Sequence, residues 1–286
     1  MTLPDPNDFF GWISYILQQY GGLLADGAFK TMVVALISTA IGCLIGFVIG
    51  IIQTIPADRQ ENPGKWAFIN AVKAVLSAYV EIFRGTPMMV QAAFIYYGAA
   101  MLFDIHMGTW FAAIFIVSIN TGAYMAETVR GGILSIDPGQ TEGAMAIGMN
   151  HTQTMLHVIL PQALRNIMPQ IGNNLIINIK DTCVLSIISV AELFYNVRSI
   201  SGATYAFFPA YSIAMVVYFV LTFACSRMLR FIEKRMAGPE SYDLAMNDVL
   251  LGEGMISYHG DPPEQNADYR ARTTATEAQR GAERDV

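Results

Sequence analysis

A chain of 286 residues with 53% hydrophobic side chains, only 14% charged ones and a mean hydropathy of +0.40 carries too little charge for a soluble helical bundle and reads as a polytopic membrane protein. The formal net charge of -6 misleads: residues 1 to 238 hold thirteen acidic and thirteen basic side chains, and the acidic excess lies in the C-terminal tail, so nothing points to nucleic acid. Three widely spaced cysteines, Cys43, Cys183 and Cys225, all in apolar segments, form no disulfide or zinc pattern.

Residues 1 to 26 contain Asp5, Asp8 and Asp26 but no Lys or Arg, and Phe9, Phe10, Trp12, Ile13, Ile16 and Leu17 predict an amphipathic, interfacial segment outside the membrane. With neither a basic n-region nor a cleavage site it does not read as a secretory signal, so the first span is expected to target the chain. That span, Thr31 to Ile52, is free of charge and ends at Ile55-Pro56; Gly42, Gly46 and Gly50 give it a smooth stripe for close helix packing. A second apolar segment is centred on Met88 to Met101 and reaches back to about Ala71. After a turn at Asp104 to His106 comes a third span, from about Gly108 to Glu127. The fourth runs from about Pro169 to Val190 and is interrupted by Lys180 and Asp181. The fifth, Tyr205 to Ser226, exits into a basic stretch. An all-α integral membrane permease domain of five spans is thus expected over residues 27–238, followed by a polar, disordered cytoplasmic tail over 239–286. Arg59, Lys65, Lys73, Arg130, Arg165, Arg227, Arg230, Lys234 and Arg235 then share one face, against mainly Lys30 and Arg198 on the other. By the positive-inside rule the N-terminus lies outside, and the segment after the third span is cytoplasmic, as is the C-terminus.

That segment, Thr141 to Arg165, is the polar stretch around which the greasy ones are arranged. Asp137 before Pro138, with Gln140 three positions on, predicts a capped helix start, and Gly148 a left-handed stop. Asn150 and Gln153 repeat the capping pattern, so a second helix should follow and end before Pro161. Two short helices joined at a glycine, too polar for lipid and lined by Gly143, Ala144 and Ala146, suit docking to another protein's groove.

Glu142, Gly143 and Ala144, then Gly148, Val158, Leu160 and Pro161 at fixed offsets, resemble the Glu-Ala-Ala loop of ATP-binding-cassette importer permeases, the inner-membrane components of binding-protein-dependent transport systems. The departure is Gly143, where the family pattern usually has alanine, a change that loosens the first helix by roughly 1 kcal/mol. SAYVEIFRGTPMMVQ, NTGAYMAETVRGGI and NNLIINIKDTCVLSIISVAEL also resemble the polar amino-acid branch, and with the loop they cover most of residues 27 to 240. The resemblance implies the MetI-like permease fold in a bacterial inner membrane and a non-catalytic subunit of an amino-acid importer. It also implies a cytoplasmic ATPase dimer docking at Glu142, Ala144, Gly148, Leu160 and Pro161, an extracytoplasmic amino-acid-binding protein, and a second permease, identical or homologous.

Charges inside the spans cost a few kcal/mol each unless paired or solvated. Glu81 with Arg84, and Glu127 with Arg130, are three apart and predict pairs along one helix face. Lys180 and Asp181 are adjacent and diverge by roughly 100°, which frees them for a solute. Asp181 and Asn120 both fall near the midplane. Asp181 is therefore a candidate acceptor for an ammonium, with Lys180 or Asn120 as donor to a carboxylate; the alternative is that Asp181 pairs with a basic side chain of another span.

No cofactor or metal is expected: His106, His151, His157 and His259 are scattered. The nearest approach to a phosphate loop, Gly22 to Gly27 with Lys30 and Thr31, has two residues where the loop needs none between glycine and lysine. Hydrolysis is therefore expected on another polypeptide. The rival reading, an ion-coupled secondary transporter using Lys180, Asp181 and Glu127, leaves the docking loop unexplained. An intramembrane hydrolase lacks its catalytic constellation.

Overall fold

A computed structural model describes residues 3–56 and 62–237, and there every regular element is helical. The C-terminal tail and Arg59 lie outside the described residues. Helix α1 runs Phe9–Thr54, α2 Pro63–Gly85, α3 Met88–Phe103, α4 Thr109–Leu134, α5 Pro138–Ala146 and α6 His151–Thr154. A π-helical turn, Met155–Ile159, leads into α7 (Leu160–Asp181), a 3₁₀ segment, Thr182–Ile188, leads towards α8 (Leu193–Thr204), and α9 is Phe207–Ala237. α1, α2, α4 and α9 are each long and apolar enough to cross a bilayer. Taken as one broken span, the path from His151 to Thr204, bent by 54°, makes a fifth crossing.

Contacts order these crossings. A Cβ on Gly42 would lie 2.6 Å from Thr121, one on Gly46 2.8 Å from the Ala126 nitrogen, and one on Gly50 2.7 Å from Val129. Each step of four along α1 is matched by a step of about four along α4 in the same sense, so the two helices are parallel, and only glycine lets their backbones approach this closely. α7 runs against α1, since Thr39 meets Asn178 while Thr31 meets Glu192. In turn α9 runs against α7, with Leu229 beside Gly172 and Tyr218 at Glu192. Alternating directions of this kind are what five spans in sequence require.

The spans differ from the sequence reading in their boundaries. The interfacial segment and first span are one helix, and the boundary expected at residue 26 falls inside it. Asp8 caps α1 by accepting from the Gly11 N–H, and Lys30 sits within the helix paired with Asp26 at 2.6 Å. The second apolar segment is broken, because Pro87 has no N–H and holds Thr86 extended at φ -122°, ψ 146°. Gln91 covers the break, its amide donating to the carbonyls of Phe83 and Thr86, each at 2.9 Å. α4 continues past Glu127 to Leu134. Pro169 is inside α7 instead of opening a span, and Pro161 does not stop the preceding helix. A π turn absorbs the missing donor of Pro161, and the Leu160 N–H reaches back five residues to Met155.

Candidate translocation and coupling sites

The polar loop is built as two capped helices around a glycine. Asp137 accepts from the Gly139 N–H at 2.7 Å with Pro138 in the first turn, while Gln140 does not complete a capping box; its Oε1 faces Gln162 of α7 at 3.4 Å. At the other end Gly148 has φ +87°, with the Met149 N–H on the Ala144 carbonyl and the Gly148 N–H on that of Met145. This is a Schellman closure, and it needs a residue tolerant of the left-handed region. Asn150 and Gln153 then form the expected reciprocal box at 2.9 and 3.0 Å.

The loop's surface differs from what its small residues suggest. Ala144 is buried against its own chain, whereas Ile147 (78%), Leu156 (55%) and Met145 (49%) stand exposed in the same segment. Leu160 packs on the cluster of Met125, Val129, Ile133, Ile159, Ala163 and Ile167, which ties the segment to the end of α4, and Pro161 is exposed.

A buried polar layer crosses the bundle at mid-depth of α4. The Asn178 amide donates to Thr39 at 2.7 Å and Thr121 at 2.9 Å. One residue earlier on α4, Asn120 turns away by about 100° and donates to Gln91 Oε1 at 2.9 Å. Asn120 is thereby joined to the α2–α3 break, and no hydrogen bond or ion pair links it to Asp181 or Lys180 among the described residues. Asp181 closes α7 one turn beyond Asn178, half-buried, at the point where the backbone tightens into the 3₁₀ segment. Lys180 is exposed, and neither residue has an ion pair among those described.

Beyond that segment the chain turns at Ser189, in the left-handed region at φ 61°, and reaches Glu192, a site residue the sequence reading did not single out. Fully buried, Glu192 accepts from the backbone N–H groups of Phe194 and Tyr195 at 2.9 and 2.7 Å, and from the hydroxyls of Thr31 and Tyr218 at 3.3 and 3.0 Å. It fastens α1, α8 and α9 at one knot. A lone acid just ahead of a helix was the available signal.

Towards the α5 end lies a cavity of about 330 Å³ lined by Gln53, Lys73, Ser77, Val80, Glu81, Arg84, Glu127 and Arg130. Arg130 pairs with Glu127 as expected, at 2.5 Å. Arg84 does not pair with Glu81; it leans across to Glu127 at 3.8 Å, with its guanidinium 5.8 Å from the Tyr124 ring centre.

The family model described as binding-protein-dependent transport system inner membrane component matches residues 67–238. The chain belongs to this family. It is 37% identical over 215 residues to the glutamine transport system permease protein GlnP of Escherichia coli (strain K12), covering 75% of this chain and 93% of that protein. To the arginine transport system permease protein ArtQ of Bacillus subtilis (strain 168) it is 29% identical over 196 residues, 68% of this chain and 86% of the relative. The crystal structure of an amino acid ABC transporter with histidines superposes with a TM-score of 0.69 at 34% identity, covering 82% of this chain and 100% of that one. An inward-facing MetNI methionine ABC transporter, at 20% identity and a TM-score of 0.57 over 73% of this chain and 96% of the other, shares the fold.

The chain is therefore a multi-pass inner-membrane permease subunit of an ABC importer and does no covalent chemistry. ATP is hydrolysed on a partner subunit, and a binding protein belongs to the same system.

Proposed function

We propose that the permease imports a polar α-amino acid, with glutamine the first candidate. Support comes from the near full-length relation to the glutamine permease, together with an acid, Asp181, that has no ion pair among the described residues and stands where α7 tightens into the 3₁₀ segment. In this reading Asp181 accepts from the solute's ammonium, Lys180 donates to its carboxylate, and Asn120 stiffens the opposite wall through Gln91. The N-terminus faces outside and α5 faces the cytoplasm. Glu142 and Gly148 shape the docking element, Ala144 supports it from beneath, and Met145 and Ile147 enter the groove of the ATPase. Leu160 and Pro161 connect the element to α7. One chain offers one such element and an ATPase dimer presents two grooves, so a second permease, identical or homologous, completes the pore.

Reconstituting the permease with its ATPase and binding protein in liposomes tests this. L-glutamine, L-arginine, L-histidine and a sugar are compared for stimulation of ATP hydrolysis. Stimulation by one of the amino acids and not by the sugar is expected. Intact basal hydrolysis that no amino acid stimulates would overturn the reading.

A further inference from the structure

The cavity between α1, α2 and α4 is lined by more charges than membrane-crossing helices usually carry. It holds three cations, Lys73, Arg84 and Arg130, and two carboxylates, Glu81 and Glu127. Charges on membrane-crossing helices are costly unless something answers them. Some are answered from within the chain. Arg130 occupies both oxygens of Glu127, at 2.5 and 3.3 Å, and Lys73 donates to the Ile55 carbonyl at 2.6 Å. Three groups are left over. Glu81 has no hydrogen bond or ion pair among those described. Arg84 reaches only an oxygen already shared, at 3.8 Å, too far for a hydrogen bond. The Oε1 of Gln53, buried, is one of the few buried polar atoms without a partner.

One free carboxylate, one free amide oxygen and one underused guanidinium form two acceptors and a fork of donors around a single space. An α-amino-acid head group presents the reverse: three N–H donors on its ammonium and two acceptor oxygens on its carboxylate. A simple anion would meet Glu81, and a simple cation would meet Arg84, whereas a zwitterion leaves no new charge unanswered. The volume falls at the lower end of the ~300–1,000 Å³ usual for small-molecule clefts. The place also fits a path, since α4 carries the wall residues Glu127 and Arg130 between its mid-depth polar layer and α5.

We propose that this cavity is a second amino-acid site, separate from Asp181, in which Glu81 and Gln53 accept from the ammonium and Arg84 donates to the carboxylate. It holds the solute after it has left the midplane and before release at the α5 end. This rests on the amino-acid reading above, and the experiment keeps the two apart.

The permease with its ATPase, in nanodiscs without binding protein, is dialysed to equilibrium against radiolabelled L-glutamine and, separately, L-arginine. Two equivalents per permease chain are expected for one of them, with binding at least tenfold weaker for its decarboxylated and deaminated analogues. Glu81→Gln with Arg84→Gln should remove one equivalent, and Asp181→Asn the other. Ser77→Trp, which fills the cavity without altering its charge, should remove the same equivalent as the double variant and guards against a folding artefact. One equivalent in the wild type, lost in Asp181→Asn, overturns the second site. So do two equivalents that persist in both cavity variants. No binding of any amino acid, with ATP hydrolysis intact, instead sinks the amino-acid reading and this site with it.

Discussion

Helices α1 and α4 run unbroken through the membrane, while the paths from Pro63 to Phe103 and from His151 to Thr204 are each interrupted. The unbroken pair is joined by backbone contact along Gly42, Gly46 and Gly50. The interrupted paths carry Pro87, the π turn at Met155–Ile159, the 3₁₀ segment after Asp181 and the left-handed Ser189. Asp181, Lys180, Asn178, Glu81, Arg84 and Gln91 lie on them, while Asn120 and Glu127 of α4 reach towards them. Freed carbonyls and tightened turns need polar side chains nearby in a medium without water, so an interruption and a polar site arise together. The seam supplies a fixed frame, and the breaks supply places where the helices can change direction against it.

The largest expected effect lies in the seam. A valine at Gly46 would set its Cβ 2.8 Å from the Ala126 nitrogen and the Met125 carbonyl carbon, which are backbone atoms of a neighbouring helix and cannot swing aside. Overpacking costs about 1–3 kcal/mol, and immovable backbone neighbours put this case at the upper end. Gly46→Val should lower the thermal midpoint of the purified complex by several degrees or prevent its assembly, while Gly98→Val, which faces open space, should not. Equal midpoints for the two would mean that α1 and α4 are not the frame.

At the α7 break the comparison predicts loss of transport with the frame intact. If Asp181 binds the ammonium, Asp181→Asn removes a charge-assisted hydrogen bond worth about 1.5–3 kcal/mol, so uptake should fall by one to two orders of magnitude. Basal hydrolysis and assembly should survive. Uptake at the wild-type level would place the solute elsewhere, and a complex that fails to assemble would make Asp181 part of the frame.

The turn at Gly148 ranks next. Its φ of +87° is strained for any side chain, by about 1–2 kcal/mol for a β-branched one, yet nothing lies within 4 Å of a Cβ there. Gly148→Val should therefore leave the spans folded and weaken the response of ATP hydrolysis to the transported amino acid. A well-expressed variant with normal stimulation would show that the turn does not transmit the motion.

What the sequence disclosed follows the same division. The glycine stripe, Gly148, the Asn150–Gln153 box and the Glu127–Arg130 pair are local patterns, and all are present. Hydropathy located the apolar crossings because it sums composition over a window. For the same reason it passed over the break at Pro87 and took Pro169 for a start, since a window does not register a missing donor. Tertiary partners were out of reach: Arg84 leaves Glu81, three residues away, for Glu127 on another helix, and Glu192 is answered by Thr31, 161 residues distant. Asn120 lay at the expected depth, but its direction was set by Gln91 across the Pro87 break.

The smallest effect tests how α2 is held. Few of its residues are buried, Val80 chief among them, and Tyr79 reaches across to the Ile119 carbonyl with a hydrogen bond of 2.6 Å beside Gly122. Tyr79→Phe keeps the ring and removes only the hydroxyl, so the loss should be about 1 kcal/mol, a slight fall in the thermal midpoint. The carbonyl left behind still accepts within its own helix, which keeps the cost at that level. If α2 moves against the frame during transport, this bond is made in one state and broken in the other. Its removal should then shift basal ATP hydrolysis by a factor of several without preventing assembly. A loss of stability as large as that of Gly46→Val would show that α2 belongs to the frame, and the contrast between joined and interrupted helices would have to be redrawn around three helices instead of two.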